Sequence, residues 1–140
     1  MLSKKIQDDI VTSLKECQFR ALCDKYFHSD FLWVIKGTSE FSGEYRDKED
    51  FFSRVIDRLN SLIAPGWKMH ILTTYYDHKK RVLIVEFKGE AKTIMGGSYN
   101  NEYCWIFEFD PSFSKVIKLT AYYDGLLVNN TLQLARANWK

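Results

Sequence analysis

The chain has 140 residues, 46% of them hydrophobic and 27% charged, which suits one globular domain with a single core spanning residues 1–140. Its 20 Lys and Arg against 18 Asp and Glu leave a net charge of +2, and the basic residues are scattered, so nucleic acid is not an expected partner. The charged N-terminus lacks the apolar run of a secretory signal, and no stretch approaches the roughly 18 apolar residues of a membrane span. A cytoplasmic protein with no membrane partner is therefore predicted.

The ligating residues give little support to metal or cofactor chemistry. Cys17, Cys23 and Cys104 are an odd number without paired spacing, so each is expected to be a small buried hydrophobe. His28 with Asp30 would supply only two metal ligands, which do not make a site. The sequence therefore predicts no metal and no cofactor.

The first half of the chain predicts helices around one strand. Apolar residues recur every three or four positions over residues 6–26, which indicates a long or once-broken helix with one buried face. Phe31–Ile35 is a continuous apolar run typical of a strand buried on both faces, and Asp30 precedes it at a helix-to-strand corner. Asp47 can cap a further amphipathic helix, which Pro65-Gly66 stops.

The second half of the chain is dominated by β-type patterns. Strands are predicted at Lys68–Tyr76, Arg81–Met95, Tyr99–Phe109 and Lys115–Asp124. The short connections favour antiparallel hairpins, and residues 126–140 form a terminal helix or tail. In the second of these strands, small or apolar residues alternate with charged ones, so one face of the sheet is dry and the other is wet.

This order of elements predicts an α+β fold. A cone-shaped, curved antiparallel sheet with a mixed edge wraps around the N-terminal helices and leaves a central cavity between sheet and helices. Because only one face of the sheet is dry, the helices cover one side only.

Several segments, in this order, resemble the nuclear transport factor 2-like (NTF2-like) superfamily, and within it the SnoaL-like relatives of polyketide cyclases and ketosteroid isomerases. The segments that carry the resemblance are Tyr26–Asp30 with Trp33 and Gly37, Gly43–Phe51, Tyr99–Tyr103 and Lys115–Asp124. The resemblance implies a cone-shaped fold, a deep cavity and a homodimer formed through the outer face of the sheet. The superfamily includes isomerases, cyclases, dehydratases, epoxide hydrolases and non-enzymatic modules, so the fold does not select a function.

The catalytic residues of the best-known relatives are mostly missing. Residues 6–23 lack the tyrosine of ketosteroid isomerases, and residues 98–125 lack the arginine of the epoxide hydrolases. Polyketide cyclases resemble this chain better, because their catalytic aspartate lies on a late strand near the position of Asp124. They pair it with a histidine, however, and residues 99–109 contain none.

The candidate catalytic residues are Asp124, as a general base, and Tyr103, as a hydrogen-bond donor to a developing enolate oxygen, with Tyr99 as the alternative donor. Asp124 also fits an ordinary turn before Gly125. Strand alternation places Tyr122 and Asp124 on one face and Tyr123 on the other, and the sequence leaves open which face meets the cavity.

The candidate ligand-binding residues form an aromatic lining with polar groups at its rim. They are Asp30, Trp33, Tyr45, Tyr99, Glu102, Trp105 and Tyr122. The aromatic members fit simple core packing equally well, and Asp30 also suits plain backbone bonding in a turn.

Two functions remain open at this point. The first is a domain that binds a small hydrophobic or aromatic molecule, with cofactor-free isomerase, cyclase or dehydratase chemistry by proton transfer as a possible activity. The alternative is a non-catalytic dimerisation or protein-interaction module whose cavity is filled by side chains.

Overall fold

A computed structural model describes residues 1–138. The elements in chain order are α1 (Lys4–Lys15), α2 (Phe19–Tyr26), β1 (Phe27–Ile35), β2 (Gly43–Tyr45), α3 (Lys48–Phe51), a π-helical turn (Phe52–Ile56), α4 (Asp57–Asn60), β3 (Lys68–Asp77), β4 (Val82–Glu90), β5 (Asn101–Phe109), β6 (Val116–Tyr123) and α5 (Gly125–Asn138). No helix within this part of the chain is long and apolar enough to cross a membrane.

The N-terminal helical pattern is a once-broken helix. The side chain of Ser3 caps α1 by accepting a hydrogen bond from the Ile6 backbone N–H, and Ile10 and Leu14 are buried on its inner side. Cys17 has a left-handed φ of 56°, which turns the chain before α2 begins.

A second helical stretch runs from α3 through the π-helical turn to α4. Asp47 caps it as predicted, because its Oδ1 accepts a hydrogen bond from the Asp50 backbone N–H at 2.7 Å. Phe51, Phe52 and Val55 are buried under this stretch. The π-helical turn places one extra residue in a turn, a feature that often marks functional sites.

The sheet has six strands in the order β2-β1-β6-β5-β4-β3. All neighbours are antiparallel except β1 and β6, which run parallel with Trp33 opposite Leu119. The predicted mixed edge is therefore an interior parallel pair, because β2 lies outside β1. Two parallel neighbouring strands must be joined by a long crossover connection, and here the chain between β1 and β6 forms that connection.

One face of the sheet, hereafter the inner face, packs against the helices. Along β4, Leu83, Val85 and Phe87 are buried there, while Ile84 and Glu86 lie half-buried on the outer face. The predicted dry and wet faces are thereby confirmed.

Three sequence predictions differ from the structure in extent. β1 is not buried on both faces, because Val34 lies on the outer face and is only half-buried. β4 ends at Glu90 and β5 begins at Asn101, since the chain between them turns at Gly96, whose φ is +90°. Among the cysteines, Cys23 is buried as expected, but the two others are half-buried, and all three are unpaired.

Candidate functional site

A small pocket lies between the inner face of the sheet and the helical stretch. Its volume is about 60 Å³, well below the roughly 300 Å³ at which ligand pockets begin. Within residues 1–138, no charged side chain lines it. The aromatic residues of its wall are Phe19, Trp33, Phe41, Phe51, Trp67, Phe87, Tyr99, Tyr103, Trp105 and Tyr123.

Aromatic packing explains why the pocket is so small. Trp33 stacks on Phe51 with ring centroids 3.8 Å apart, and it meets Trp105 edge to face at 5.3 Å. Phe87 stacks on Tyr103 at 4.8 Å. These rings from β1, β4, β5 and α3 fill most of the space that the resemblance assigns to a deep cavity.

Trp67 closes the pocket from the loop before β3. A Cβ atom at Gly89 would come within 2.6 Å of the Trp67 Nε1 and 3.0 Å of the Met69 sulfur, so glycine leaves room for the indole nitrogen next to the strand. Trp67 also meets Tyr99 edge to face at 6.3 Å. Trp67 was not among the predicted site residues, because a tryptophan after Pro65-Gly66 carries no periodic signal.

Asn101 holds the hydroxyl of Tyr99 in place. This buried side chain donates from Nδ2 to the Tyr99 hydroxyl and to the Asp124 carbonyl, both at 3.3 Å. Its Oδ1 accepts from the backbone N–H groups of Asp124 and Glu102 at 2.9 and 2.8 Å. Because the Tyr99 oxygen accepts from Asn101, its own proton remains available to donate.

Two of the three tyrosines in the pocket wall, Tyr99 and Tyr103, are neutral donors at physiological pH. Burial raises the pKa of Tyr99 to about 12. Burial also raises the pKa of Tyr103 well above its ordinary value, with the adjacent Tyr99 contributing. A phenol in this state can donate a hydrogen bond but does not act as a base at neutral pH.

The remaining hydroxyls near the pocket are already engaged. Tyr45 donates to the Phe41 carbonyl at 2.7 Å, and Tyr123 is hydrogen-bonded to Ser39. Tyr45 is buried behind Phe51, with ring centroids 5.2 Å apart, and does not line the pocket.

Asp124 lies outside the pocket, contrary to its predicted place beside the aromatic lining. It is exposed at the start of α5, where Oδ1 accepts from the Leu127 backbone N–H at 3.1 Å. Strand alternation is the reason, because Tyr123 takes the inward position. Tyr122 therefore points outward and is 46% exposed, a second correction to the predicted lining.

The two other predicted rim carboxylates are also outside. Asp30 is exposed within β1, and its backbone N–H donates to His28 Nδ1 at 3.0 Å. Glu102 is exposed beside Tyr122 and Asp124 in an outer groove. Of the nine predicted site residues, the pocket wall brings together four, namely Trp33, Tyr99, Tyr103 and Trp105.

Metal ligation has no candidate cluster in the described chain. Within residues 1–138, no group of three or more His, Cys, Asp or Glu side chains is close enough to hold an ion.

Comparison with known proteins identifies the fold. No family model matches the chain, and no curated protein matches its sequence. Among solved structures, an NTF2-like protein from Burkholderia thailandensis matches with a TM-score of 0.74 and 16% identity over 92% of this chain and 95% of that one. PrhC from Penicillium brasilianum matches with a TM-score of 0.75 and 14% identity, over 95% of this chain and 87% of that one. BvnE pinacolase from Penicillium brevicompactum matches with a TM-score of 0.72 and 11% identity, over 98% of this chain and 97% of that one.

The chain therefore has the NTF2-like α+β cone fold, as the resemblance implied. At these identities the likeness concerns the fold alone, and the proteins that have this fold include one named a pinacolase.

Proposed function

We propose that the protein binds a small, uncharged, hydrophobic or aromatic molecule in the pocket between sheet and helices. The observation that carries this proposal is the composition of the pocket wall, which is aromatic and aliphatic and has no charged side chain among residues 1–138. Apolar walls with a few fixed polar groups are typical of small-molecule sites. Tyr99 and Tyr103 supply such polar groups.

Binding at this pocket requires the wall to move, because about 60 Å³ does not hold even one aromatic ring. Two parts of the wall favour such movement. Ile56 ends the π-helical turn, and Trp67 lies in a loop; both are only half-buried. We propose that the ligand enters between them.

Binding is a better-supported proposal than proton-transfer catalysis by Asp124. An isomerase, cyclase or dehydratase mechanism would use Tyr99 or Tyr103 as donor to an enolate oxygen, together with a base near the same ligand atom. The pocket wall supplies the donors, but the Asp124 carboxylate caps α5 instead.

A second candidate function is a non-catalytic module that associates with itself through the outer face of the sheet. The observation in its favour is a row of residues, hereafter the outer row, that crosses five strands and carries no charge. It consists of Tyr75, Ile84, Ile106, Thr120 and Val34. Tyr75 is 53% exposed in the single chain. A homodimer through this row would cover it, and the filled pocket suits this candidate as well.

The first experiment is an NMR titration of the 15N-labelled protein with indane, an uncharged bicyclic hydrocarbon. We expect saturable shifts at inner-face residues such as Phe87. Ala121→Leu, which fills the pocket, should abolish them, whereas Ala91→Leu, at a buried alanine outside the pocket wall, should not. Absence of saturable shifts, or shifts confined to the outer face, would refute the binding proposal.

Sedimentation velocity over a range of concentrations tests the second candidate. We expect a dimer that Ile106→Lys dissociates, because the substitution places a charge in the centre of the outer row. Lys88→Ala, on the same face but outside that row, serves as the control. A monomer at all concentrations would count against assembly through this face.

A further inference from the structure

The pocket wall contains two buried hydrogen-bond donors without partners. The indole Nε1 atoms of Trp33 and Trp67 are fully shielded, and no group within residues 1–138 accepts from either. Trp33 is 1% exposed, and both residues line the pocket. An unpaired buried donor is costly and rare in native proteins, so each such group calls for an explanation.

Two tyrosines of the wall, Tyr99 and Tyr103, also have protons to donate. Tyr99 accepts from Asn101 and keeps its own proton, and burial raises the pKa values of Tyr99 and Tyr103, so both phenols stay protonated. Within the described residues, no carboxylate, imidazole, ammonium or guanidinium group joins the lining. The pocket therefore combines apolar walls with donors and no counter-charge.

We propose that Trp33 and Trp67 determine ligand specificity by donating their indole N–H groups to acceptor atoms of an uncharged ligand, such as a ketone oxygen. A ligand with an acceptor atom would form hydrogen bonds with these otherwise unpaired N–H groups. A hydrocarbon of the same shape would leave the N–H groups unpaired. A charged ligand would enter without a balancing charge, which disfavours it. This inference rests on the proposed binding function and adds the chemical class of the ligand.

The places of Trp33 and Trp67 in the fold support their proposed role in ligand specificity. Trp33 comes from β1, and Trp67 comes from the loop before β3, so the two donors reach the pocket from different parts of the fold. Trp33 is fixed by its stack on Phe51, whereas Trp67, whose Nε1 lies beside Gly89, belongs to the part of the wall that moves when the ligand enters. A fixed donor such as Trp33 can bind an acceptor without a further ordering cost.

Two probes with the same ring skeleton test the inference. 1-Indanone differs from indane by one carbonyl, and calorimetry or NMR titration measures both dissociation constants. One hydrogen bond to a buried donor predicts that 1-indanone binds about 2- to 12-fold more tightly. In W33F, W67F and the double variant, we expect this ratio to fall toward one while indane binding changes less.

The indole resonances of the unmodified protein provide a measurement that does not depend on the folding of a variant. We expect the side-chain N–H signals of Trp33 and Trp67 to move farther with 1-indanone than with indane. Trp105 lines the same pocket and should report occupancy by both probes alike.

Each outcome has a distinct meaning. Equal affinity for the two probes, or a ketone preference that persists in the double variant, would overturn the inference and leave the binding function intact. Failure of both probes to bind would refute the binding function and the inference with it. A ketone preference that disappears with the indoles would support both.

Discussion

The inner and outer faces of the sheet are built from the same strands and differ in nearly every chemical property. On β4, Val85 and Phe87 are fully buried against the helices, while Glu86 and Lys88 alternate with them on the other side. The inner face collects aromatic rings and neutral donors. The outer face carries carboxylates, amines and the outer row. A shift of one residue in register would exchange the two sets.

The difference teaches that the inner pocket contains hydrogen-bond donors without carboxylates. Asp30, Glu102 and Asp124 were all candidates for a site that also contains Tyr99 and Tyr103. The structure puts all three carboxylates outside the inner pocket, which both phenols line, and Tyr103 also borders the outer groove that Glu102 and Asp124 line. The wall of the inner pocket therefore does not combine a phenol donor with a carboxylate base.

The largest expected effect comes from deleting equal side-chain volume on the two faces. Leu83 is 1% exposed on the inner face, so Leu83→Ala should cost about 2–5 kcal/mol of unfolding free energy, through lost burial and a cavity. Its neighbour Ile84 is half-buried on the outer face, and Ile84→Ala should cost clearly less at concentrations where the protein is monomeric. Denaturant unfolding measures both. Equal losses would contradict the distinction between the faces.

A smaller effect is expected at the polar junction between the faces. Asn101→Ala removes the side chain that joins Tyr99 to the backbone of Glu102 and Asp124, and it leaves buried groups unpaired. We expect a loss of about 1–3 kcal/mol in unfolding free energy. The exposed Asn130→Ala in α5 is the control. A loss no greater than that of the control would show that water replaces these hydrogen bonds without cost.

Local patterns predicted most of the fold because they are set by neighbours in sequence. The cap at Asp47 and the alternation along β4 depend on spacings of two to four residues, and both are confirmed. The parallel pairing of β1 with β6 was not specified by such patterns, because it joins residues far apart in the chain. Long-range pairing depends on how the whole core packs.

The candidate site was less predictable for two physical reasons. Residue types identified Trp33, Tyr99, Tyr103 and Trp105, since large aromatics face the interior of such a sheet. The sequence did not show which face of β6 points inward, because the adjacent aromatic residues Tyr122 and Tyr123 near its end point to opposite faces of the sheet. The pocket volume depends on ring packing, such as Trp33 on Phe51, which no spacing in the sequence encodes.

A smaller effect still is expected from the carboxylate at the end of β6. Asp124→Ala removes the acceptor for the Leu127 backbone N–H and should cost about 0.5–2 kcal/mol, whereas Asp124→Ser should restore most of it. Indane affinity should not change in either variant, because Asp124 lies outside the pocket wall. A change in indane affinity without a change in stability would instead show that Asp124 takes part in ligand binding. Thermal unfolding and NMR titration supply the two measurements.

The smallest expected effect is pH-dependent and lies in the helices that cover the inner face. A hydrogen bond from Tyr26, followed by one from Lys25, lowers the pKa of Asp9. Because the folded-state pKa lies below the unfolded value of about 3.9, this carboxylate stabilises the fold above that pH and loses its contribution as pH falls through the folded pKa.

Comparison of the wild type with Asp9→Asn measures this contribution. The difference in unfolding free energy should be present at pH 7 and should shrink below about pH 4, as the wild-type carboxyl becomes protonated. Asp8→Asn is the matched control, because Asp8 directly precedes Asp9, is 61% exposed and, among residues 1–138, pairs only with Lys4 across one turn. A difference that stays constant down to pH 2.5 would mean that Asp9 acts through side-chain shape. The link between α1 and α2 would then be independent of charge.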